Sequence, residues 1–522
     1  MVGRGLRSRA SICHEWGRAR PSSYVCLRLA NAPLNIHRRR ANIEFAGVKL
    51  PSFFRRAPPR AFVVGLDCAA PELVFDRWRD DLPNLSRLAA GGVWGELRSC
   101  IPAITVPAWS SMLSSRDPGV LGIYGFRNRA DTSYGRMTTA NAEHVKEKRV
   151  WDYLTEAGKR SVVIGVPQTF PVKPLNGCLI SDFLTPGRHS PFAYPPHLKD
   201  EVLRIAPDYA FDVKEFRTED KAWLLRQIYA MTEARFKVVD ALLTSEPWDF
   251  FMVMEIGVDR IHHGFWRYHD PRHWRYQAGN PYERAIHDYY VYLDAKIGAW
   301  LEMIPEDAIV LVVSDHGAKR MDGGICLNEW LWREGYLVLK EGPQPGEIVS
   351  LEKLIERDAV DWSRTRAWGS GGYYGRVFLN VQGREPEGAV ALTEYEAVRD
   401  ELAEKLAAIP NHRGEAIGTR VFKPQEIYQQ VNGVAPDLIV YFGDLLWRSV
   451  GSLGHGRIHT FENDTGPDDC NHAQNGLFIW RDPRRPGNGR KVEGAQLMDI
   501  APTLLRALGL SVPGRMQGKA LT

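Results

Sequence analysis

Four short apolar runs, separated by stretches with helical spacing, constrain the fold of this chain more than any other feature. Each is rich in Val, Ile or Phe and is bounded by turn residues, which is typical of parallel strands buried on both faces. The runs are Ala61–Leu66, Ser161–Val166, Phe250–Ile256 and Ala308–Val313. The clearest helical pattern covers Tyr282–Ile304. This alternation predicts an α/β fold with a mostly parallel central sheet and helices on both faces.

The pattern changes after about residue 340. The Gly-rich segment Gly369–Gly375 precedes a predicted strand at Arg376–Asn380, a helix near Tyr395–Ala408 and a strand at Asp437–Phe442. We therefore predict a smaller inserted α+β subdomain over residues 340–469. The α/β core would cover residues 61–339 and resume over 470–522, with a strand at Gly476–Trp480 and a helix at Gln496–Leu508.

Charge is spread unevenly along the 522 residues. Residues 1–60 hold 13 Arg or Lys against two Glu, a net charge of +11, whereas the whole chain carries only +4. The remaining 462 residues therefore carry −7. We predict that residues 1–60 form a poorly ordered basic extension. The acidic body argues against an extended nucleic-acid-binding surface, so no nucleic-acid polymer is expected as a partner.

The lengths of the apolar runs and the spacing of the cysteines argue against a membrane protein and against a disulfide-rich protein. No uninterrupted apolar stretch approaches the roughly 18 residues of a membrane-spanning helix, so no membrane span is expected. The seven cysteines are odd in number and lack CxxC spacing, which fits neither a disulfide framework nor a cysteine zinc site. We expect a protein of the reducing cytoplasm. The oligomeric state is left open.

Aspartates follow three of the four predicted strands. Asp67 comes after Leu66, Asp259 shortly after Ile256, and Asp315 after Ser314. Ligands of open α/β sheets bind at the carboxyl ends of the strands, so these acids are expected to converge. Aspartate also favours turns, and any one of the three has that simpler explanation.

Histidines accompany these aspartates. His316 is adjacent to Asp315, and His263 stands four residues after Asp259, on the same face if the strand turns into a helix. His472 precedes the last predicted strand, although His455 and His459 are alternatives by sequence alone. Mixed carboxylate and imidazole donors suit zinc and similar divalent ions, so the residues together predict a metal site.

Thr105 is the candidate nucleophile. It stands directly before a predicted helix in Ile101–Leu113, with Pro107 suited to the first turn. A threonine there could simply cap the helix. The free N–H groups of a helix start also bind phosphate oxygens, and coordination to a divalent cation would activate the hydroxyl.

These motifs resemble the type I phosphodiesterase/nucleotide pyrophosphatase branch of the alkaline phosphatase superfamily, over nearly everything after residue 60. The order and combination of the motifs carry the resemblance, which is strongest to microbial members. The motifs are Val63–Asp67, Pro102–Trp109, Asp259–His263, Ser314–Gly317, His472–Gly476 and Asp499–Leu505. The resemblance implies an alkaline-phosphatase-like fold and hydrolysis of phosphodiester or pyrophosphate bonds in small molecules.

The resemblance also implies two metal ions, zinc by preference with manganese or iron as alternatives. One ion would be held by Asp67, Thr105, Asp315 and His316, and the other by Asp259, His263 and His472. This assignment favours His472 over the other two histidines. Thr105 would attack phosphorus and form a phospho-threonine intermediate.

Two positions depart from the family pattern. Characterised nucleotide pyrophosphatases carry Asn three residues after the nucleophile, where this chain has Ala108. The histidine that commonly precedes Gly-Ile after that helix is Leu121 here. A sulfatase is disfavoured because Thr105 and Trp109 replace its signature residues, and the related phosphoglycerate mutases use a serine nucleophile.

Two other functions stay open on the sequence. A phosphomonoesterase or phosphonate hydrolase would need a cation facing the extra negative charge, for which Arg127, Arg129, Arg260 and Arg376 are candidates. A non-catalytic binding protein of the same fold would be expected to have lost ligands, yet all seven positions are filled. The aromatic residues of Phe265–Tyr268, with Trp274 and Tyr276, could stack on a substrate but are more typical of a core.

Overall fold

The computed structural model describes residues 58–521, so the predicted basic extension lies almost entirely outside the described residues. Within 58–521 the strands are, in chain order, β1 Ala61–Leu66, β2 Val93–Arg98, β3 Arg127–Arg129, β4 Met137–Thr139, β5 Ser161–Ile164, β6 Gly177–Ile180, β7 Ala193–Tyr194, β8 Phe250–Glu255, β9 Ile309–Val313, β10 Gly317–Arg320, β11 Gly323–Cys326, β12 Ala367–Ser370, β13 Gly375–Leu379, β14 Arg420–Phe422, β15 Leu438–Tyr441, β16 Trp447–Val450, β17 His459–Thr460, β18 Cys470–Ala473, β19 Asn475–Arg481 and β20 Arg490–Lys491.

The α-helices of the same residues are α1 Pro83–Gly91, α2 Thr105–Ser114, α3 Pro118–Leu121, α4 Val150–Glu156, α5 Leu198–Ile205, α6 Lys221–Ser245, α7 Gly257–His269, α8 Ala285–Met303, α9 Leu327–Arg333, α10 Leu351–Glu356, α11 Tyr395–Ala407, α12 Pro424–Ile427 and α13 Ile500–Ala507. None of these described helices has the length and apolar character needed to cross a membrane. The predicted strands and helices are confirmed to within a few residues at their ends.

The largest sheet of the described region has the order β20-β2-β19-β9-β1-β8-β5-β6-β7. Its centre, from β9 to β6, is parallel, whereas β19 runs antiparallel between β9 and β2. Every residue of β1, β8 and β9 is buried. Because successive residues of a strand point to opposite faces, both faces of this sheet are covered. The predicted α/β fold with a mostly parallel sheet is confirmed.

A second apolar core lies in residues 325–453. There the antiparallel sheet β12-β13-β15-β14 packs with α9 and α11. The first core draws its residues from before 320 and after 469. The loop between β12 and β13, which contains Tyr373, extends from the second core to the carboxyl ends of the central strands, where it contacts His263 and His472.

Candidate active site

Three adjacent strands deliver the predicted acids to one place. In the sheet β8 and β9 flank β1, and all three run parallel, so their carboxyl ends meet. Asp67 directly follows β1, Asp315 lies two residues after β9, and Asp259 lies in the first turn of α7, which follows β8. The convergence that the sequence predicted is thus present.

The first predicted group surrounds the hydroxyl of Thr105. Its Oγ1 lies 3.3 Å from Asp67 Oδ1 and 3.3 Å from His316 Nε2. His316 Nε2 in turn lies 3.3 Å from Asp315 Oδ2. All four residues are buried, so the structure places them together.

The second predicted group is equally tight. Asp259 Oδ1 lies 3.1 Å from His263 Nε2, one turn further along α7. His472 Nε2 lies 3.3 Å from His263 Nε2 and 3.7 Å from Asp259 Oδ1. His472 lies on β18, which pairs with β10. In that pairing His472 stands opposite Ala318, two residues after His316, and this places His472 beside the other ligands. His455 and His459 belong to neither group.

The two groups adjoin each other. Ligand atoms of Asp67, Asp259 and His316 lie within 4.8 Å of one another, and the rings of His316 and His472 stack at 4.0 Å. Cys68 also approaches His316 and His472. Its Sγ lies 3.4 Å from Gly317 O, and burial raises the pKa of its thiol. Cys68 was not among the ligands predicted from the sequence.

The orientation of the three imidazoles fits a metal centre. Each has its Nδ1 beside an acceptor: Gly317 O at 3.1 Å for His316, Ala103 O at 3.0 Å for His472, and Asp468 Oδ1 at 2.7 Å for His263. The three Nε2 atoms consequently face the carboxylates. Metal-ligating histidines almost always have their other ring nitrogen engaged in this way.

Buried negative charge at the site also fits a cation. Burial and the charge of Asp259 raise the pKa of Asp67, and burial and the charge of Asp67 raise the pKa of Asp315. Asp315 Oδ2 has no hydrogen-bond donor, although His316 Nε2 lies 3.3 Å away. Arg260 pairs with Asp259 and Asp212. Buried carboxylates of this kind are normally paired or bind metals, and mixed oxygen and nitrogen donors suit zinc, manganese or iron.

The sequence analysis did not single out Asp468 or the residues that bind it. Its Oδ2 accepts hydrogen bonds from the Tyr373 hydroxyl at 2.9 Å and from Arg217 Nε at 3.1 Å. Although burial opposes a charged ring, Asp468, Tyr373 and Asp259 together raise the pKa of His263. The one signal in the sequence was the pair of acids at 468 and 469, a few residues before His472.

Thr105 is the first residue of α2, and Ile104 occupies the capping position. The capping role considered for Thr105 is therefore wrong, because its hydroxyl points to Asp67 and His316. The N–H groups of the first helical turn have no partner within the helix. Ala108 is fully buried.

A cavity of about 670 Å³ opens over the site. Its wall includes Thr105, Asp259, His263 and His472. It is also rich in cations, which are Arg127, Arg217, Arg260, Lys353, Arg376 and Arg448. Three of the four arginines singled out from the sequence thus reach it. The fourth, Arg129, pairs instead with Glu385 at 3.1 Å.

The aromatic residues singled out from the sequence do not line this cavity. Phe265 and Trp266 are in the core, and Trp274 is half exposed beside a different cavity. The aromatic side chains that do line it come from scattered segments, and they are Phe126, Phe183, Phe216, Tyr373 and Tyr374. Tyr373 and Tyr374 lie in the Gly-rich segment Gly369–Gly375, and no motif marked the other three.

A solved structure of low sequence identity shares the fold. A phosphonoacetate hydrolase from Sinorhizobium meliloti 1021, in complex with phosphonoacetate, is 15% identical with a TM-score of 0.55, over 86% of this chain and 96% of that one. Human ectonucleotide pyrophosphatase/phosphodiesterase 5 is 12% identical with a TM-score of 0.49, over 87% and 96%. Comparison with curated protein sequences gives no significant match.

The family comparison covers most of the chain. Residues 61–468 match the family model described as type I phosphodiesterase/nucleotide pyrophosphatase. The matched region contains six of the seven predicted ligands, and His472 follows it by four residues. The chain therefore belongs to the type I phosphodiesterase/nucleotide pyrophosphatase family of phosphoric ester hydrolases.

Proposed function

We propose that the protein hydrolyses phosphodiester or pyrophosphate bonds of small molecules, using Thr105 as nucleophile and two divalent metal ions. The observation that carries the proposal is the position of the Thr105 hydroxyl. It lies 3.3 Å from both Asp67 and His316 and lines a cavity large enough for a small organic substrate.

The seven residues would divide between two ions. Asp67, Thr105, Asp315 and His316 would hold one, and Asp259, His263 and His472 the other. Two such ions supply Lewis-acid stabilisation of charge on the attacking and leaving oxygens. Zinc is the proposed metal, with manganese or iron as alternatives.

The protein's own residues set up the attack. The Thr105 hydroxyl donates a hydrogen bond to Asp67 Oδ1, so that carboxylate is placed to hold the hydroxyl proton. The bond from Oγ1 to phosphorus forms as the bond from phosphorus to the leaving oxygen breaks. The free N–H groups at the start of α2 face negative charge on the phosphoryl oxygens. Water then cleaves the phospho-threonine and restores Thr105.

Hydrolysis of a phosphomonoester or a phosphonate is the second candidate. The cations of the cavity favour it, since a monoester carries more charge than a diester and guanidinium groups bind phosphate in bidentate fashion. One structure of similar fold is a phosphonoacetate hydrolase. This chain also has Ala108 at the position where the family resemblance leads us to expect the Asn of nucleotide pyrophosphatases.

Paired substrates and a nucleophile variant test the proposal. Purified protein is assayed with bis-p-nitrophenyl phosphate and with p-nitrophenyl phosphate, before and after chelation and after addition of zinc or manganese. We expect metal-dependent cleavage of the diester and a loss of at least about a hundredfold in kcat for Thr105→Ala. Ser111→Ala removes a hydroxyl that has no hydrogen bond, six residues along the same helix, and should keep full activity.

The outcomes separate the candidates. Faster cleavage of the monoester would favour the second candidate. Cleavage that survives Thr105→Ala at an unchanged rate would refute the nucleophile assignment. Trapped phosphate on wild-type protein after acid quench, absent from Thr105→Ala, would support the covalent intermediate.

A further inference from the structure

Two arginines of the cavity differ from the others in having no acidic partner. Arg217 pairs with Asp468, Arg260 with Asp212 and Asp259, and Arg448 with Asp464. Within residues 58–521, neither Arg127 nor Arg376 has a carboxylate within 4.0 Å. These two side chains nevertheless line the same cavity wall.

Arg376 is held firmly in place. It is only 7% exposed, and its guanidinium donates hydrogen bonds to the backbone carbonyl of Arg127 and, at 2.8 Å, to Ser370 Oγ. Ser370 and Arg376 stand opposite each other at the base of the hairpin that carries Tyr373. Gly125 leaves the space that the arrangement needs, because a Cβ there would lie 2.7 Å from the Tyr374 hydroxyl and 3.5 Å from Arg376 Nη1.

A buried guanidinium without a counter-ion is costly unless something negative pairs with it. Both hydrogen-bond partners of Arg376 are neutral oxygens. The guanidinium is therefore hydrogen-bonded, but no negative charge balances its positive charge. Arg127 is exposed and extends from the segment whose carbonyl Arg376 binds. The pair therefore presents two positive charges to the cavity from one short stretch of wall.

Arg127 and Arg376 lie on elements other than those that carry the nucleophile and the proposed metal ligands. Thr105, the ligand residues and Arg260 come from the carboxyl ends of the central strands, α2, α7 and β18, whereas Arg127 lies on β3 and Arg376 on β13. The hairpin between β12 and β13 reaches the histidines through Tyr373, three residues before Arg376. The two arginines are thus placed for a part of the substrate other than the phosphorus under attack.

We propose that Arg127 and Arg376 form an anion subsite that selects phosphoesters carrying a second anionic group, a carboxylate or a phosphate, away from the scissile bond. This proposal rests on the proposed function, since it names the substrate class of the same cavity. A guanidinium pair binds either anion through charge-assisted hydrogen bonds. Arg127 and Arg376 act here as specificity residues and take no part in bond cleavage.

The test compares substrates that share one leaving group. Three p-nitrophenyl phosphodiesters are used, whose second alcohol is pentyl, or pentyl with its terminal methyl replaced by a carboxylate or by a phosphate. For the wild type we expect kcat/KM to be about ten- to hundredfold higher for the charged diesters than for the pentyl diester. The larger of the two ratios identifies the natural anion as carboxylate or phosphate.

Variants assign the preference to the pair. Arg376→Met and Arg127→Met should each bring the charged-to-neutral ratio close to one, and Arg376→Lys should keep part of it. Arg127 is exposed, so its variant keeps the test decisive if Arg376→Met folds poorly. Arg413→Met, an exposed arginine beside another cavity, should leave the ratio unchanged. If Arg376 had only a structural role, Arg376→Met would lower kcat/KM equally for all three substrates and leave the charged-to-neutral ratio unchanged.

Either of two results would overturn the subsite: a wild-type ratio near one, or a high ratio that both Met variants retain. Failure of the wild type to cleave the pentyl diester counts against diesterase activity instead. Calorimetric binding of the three compounds to Thr105→Ala then tests the subsite alone. Tighter binding of the charged compounds, abolished by adding Arg376→Met, supports it, and equal binding of all three refutes it.

Discussion

Each histidine of the site has one ring nitrogen engaged and the other free to face the carboxylates. The acceptor is a backbone carbonyl for His316 and His472 but the Asp468 carboxylate for His263. A carboxylate behind a ligating imidazole fixes its tautomer and increases its basicity. Tyr373 and Arg217 hold Asp468 in place by hydrogen bonds. His263, the proposed ligand that Asp468 contacts, is therefore oriented before any metal binds.

Asp468→Asn should therefore weaken the metal site. We expect a roughly 10- to 100-fold loss in affinity at the ion held by His263, with activity partly restored by excess metal. Metal titration monitored by activity and by calorimetry measures both effects. Asp270→Asn changes another buried aspartate, which accepts from Trp266 and Arg272, and should leave metal affinity unaltered. Unchanged affinity in Asp468→Asn would contradict the assigned role.

At the scale of elements, the packing of α2 against β1 sets the position of the nucleophile relative to Asp67. Trp109, one turn after Thr105, donates from Nε1 to Asp67 Oδ2 at 2.7 Å. Its ring lies against Gly65 in β1, where any Cβ would overlap it. Gly65 therefore permits the close approach of helix and strand that brings Thr105 to Asp67.

Gly65→Ala should both destabilise the protein and impair the site. Overpacking against a fully buried tryptophan is expected to cost about 1–3 kcal/mol in the free energy of unfolding. Urea denaturation measures that cost, and kcat should fall as Trp109 moves from Asp67. Gly187→Ala is the matched control, because no atom lies within 4 Å of the added Cβ there. Equal free energies of unfolding for the two variants would show that the protein does not need the close contact between β1 and α2 for its stability.

At the scale of the whole molecule, the fold gathers several buried acidic side chains at one place. Asp67, Asp259 and Asp315 are all buried at the ends of the three central strands. Burial and mutual repulsion disfavour their charged forms, and Arg260 pairs only with Asp259 among them. The folded protein without metal therefore carries an electrostatic cost that bound cations would remove.

Metal should consequently raise the melting temperature. A ligand present at a hundred times its Kd stabilises the native state by about 2.7 kcal/mol, which differential scanning calorimetry with zinc, manganese or chelator would detect. Asp315→Asn should melt higher than wild type in chelator, since it removes one buried charge, and should gain less from metal. Asp482→Asn, a buried aspartate bonded to Arg484, should gain as much from metal as wild type. A Tm insensitive to metal would contradict a metal centre.

The sequence by itself determined the sheet and the seven candidate ligands. Apolar runs as short as Ala308–Val313 predict buried strands, and the acids that follow them lie at one sheet edge because parallel strands end together. The spacing of Asp259 and His263 places both on one helix face. These inferences need only local periodicity, whereas the choice of His472 over His455 and His459 rested on the resemblance of the motifs to the family.

Only the tertiary structure decided what surrounds those ligands. Asp468, Tyr373 and Arg217 meet near the site from segments distant in the chain, and little in their local pattern distinguishes them from ordinary surface or core residues. The capping role considered for Thr105 failed for the same reason, because the direction of its hydroxyl depends on Asp67 and His316. Local spacing fixes which residues share an element, whereas long-range packing fixes which charges face one another across a cavity.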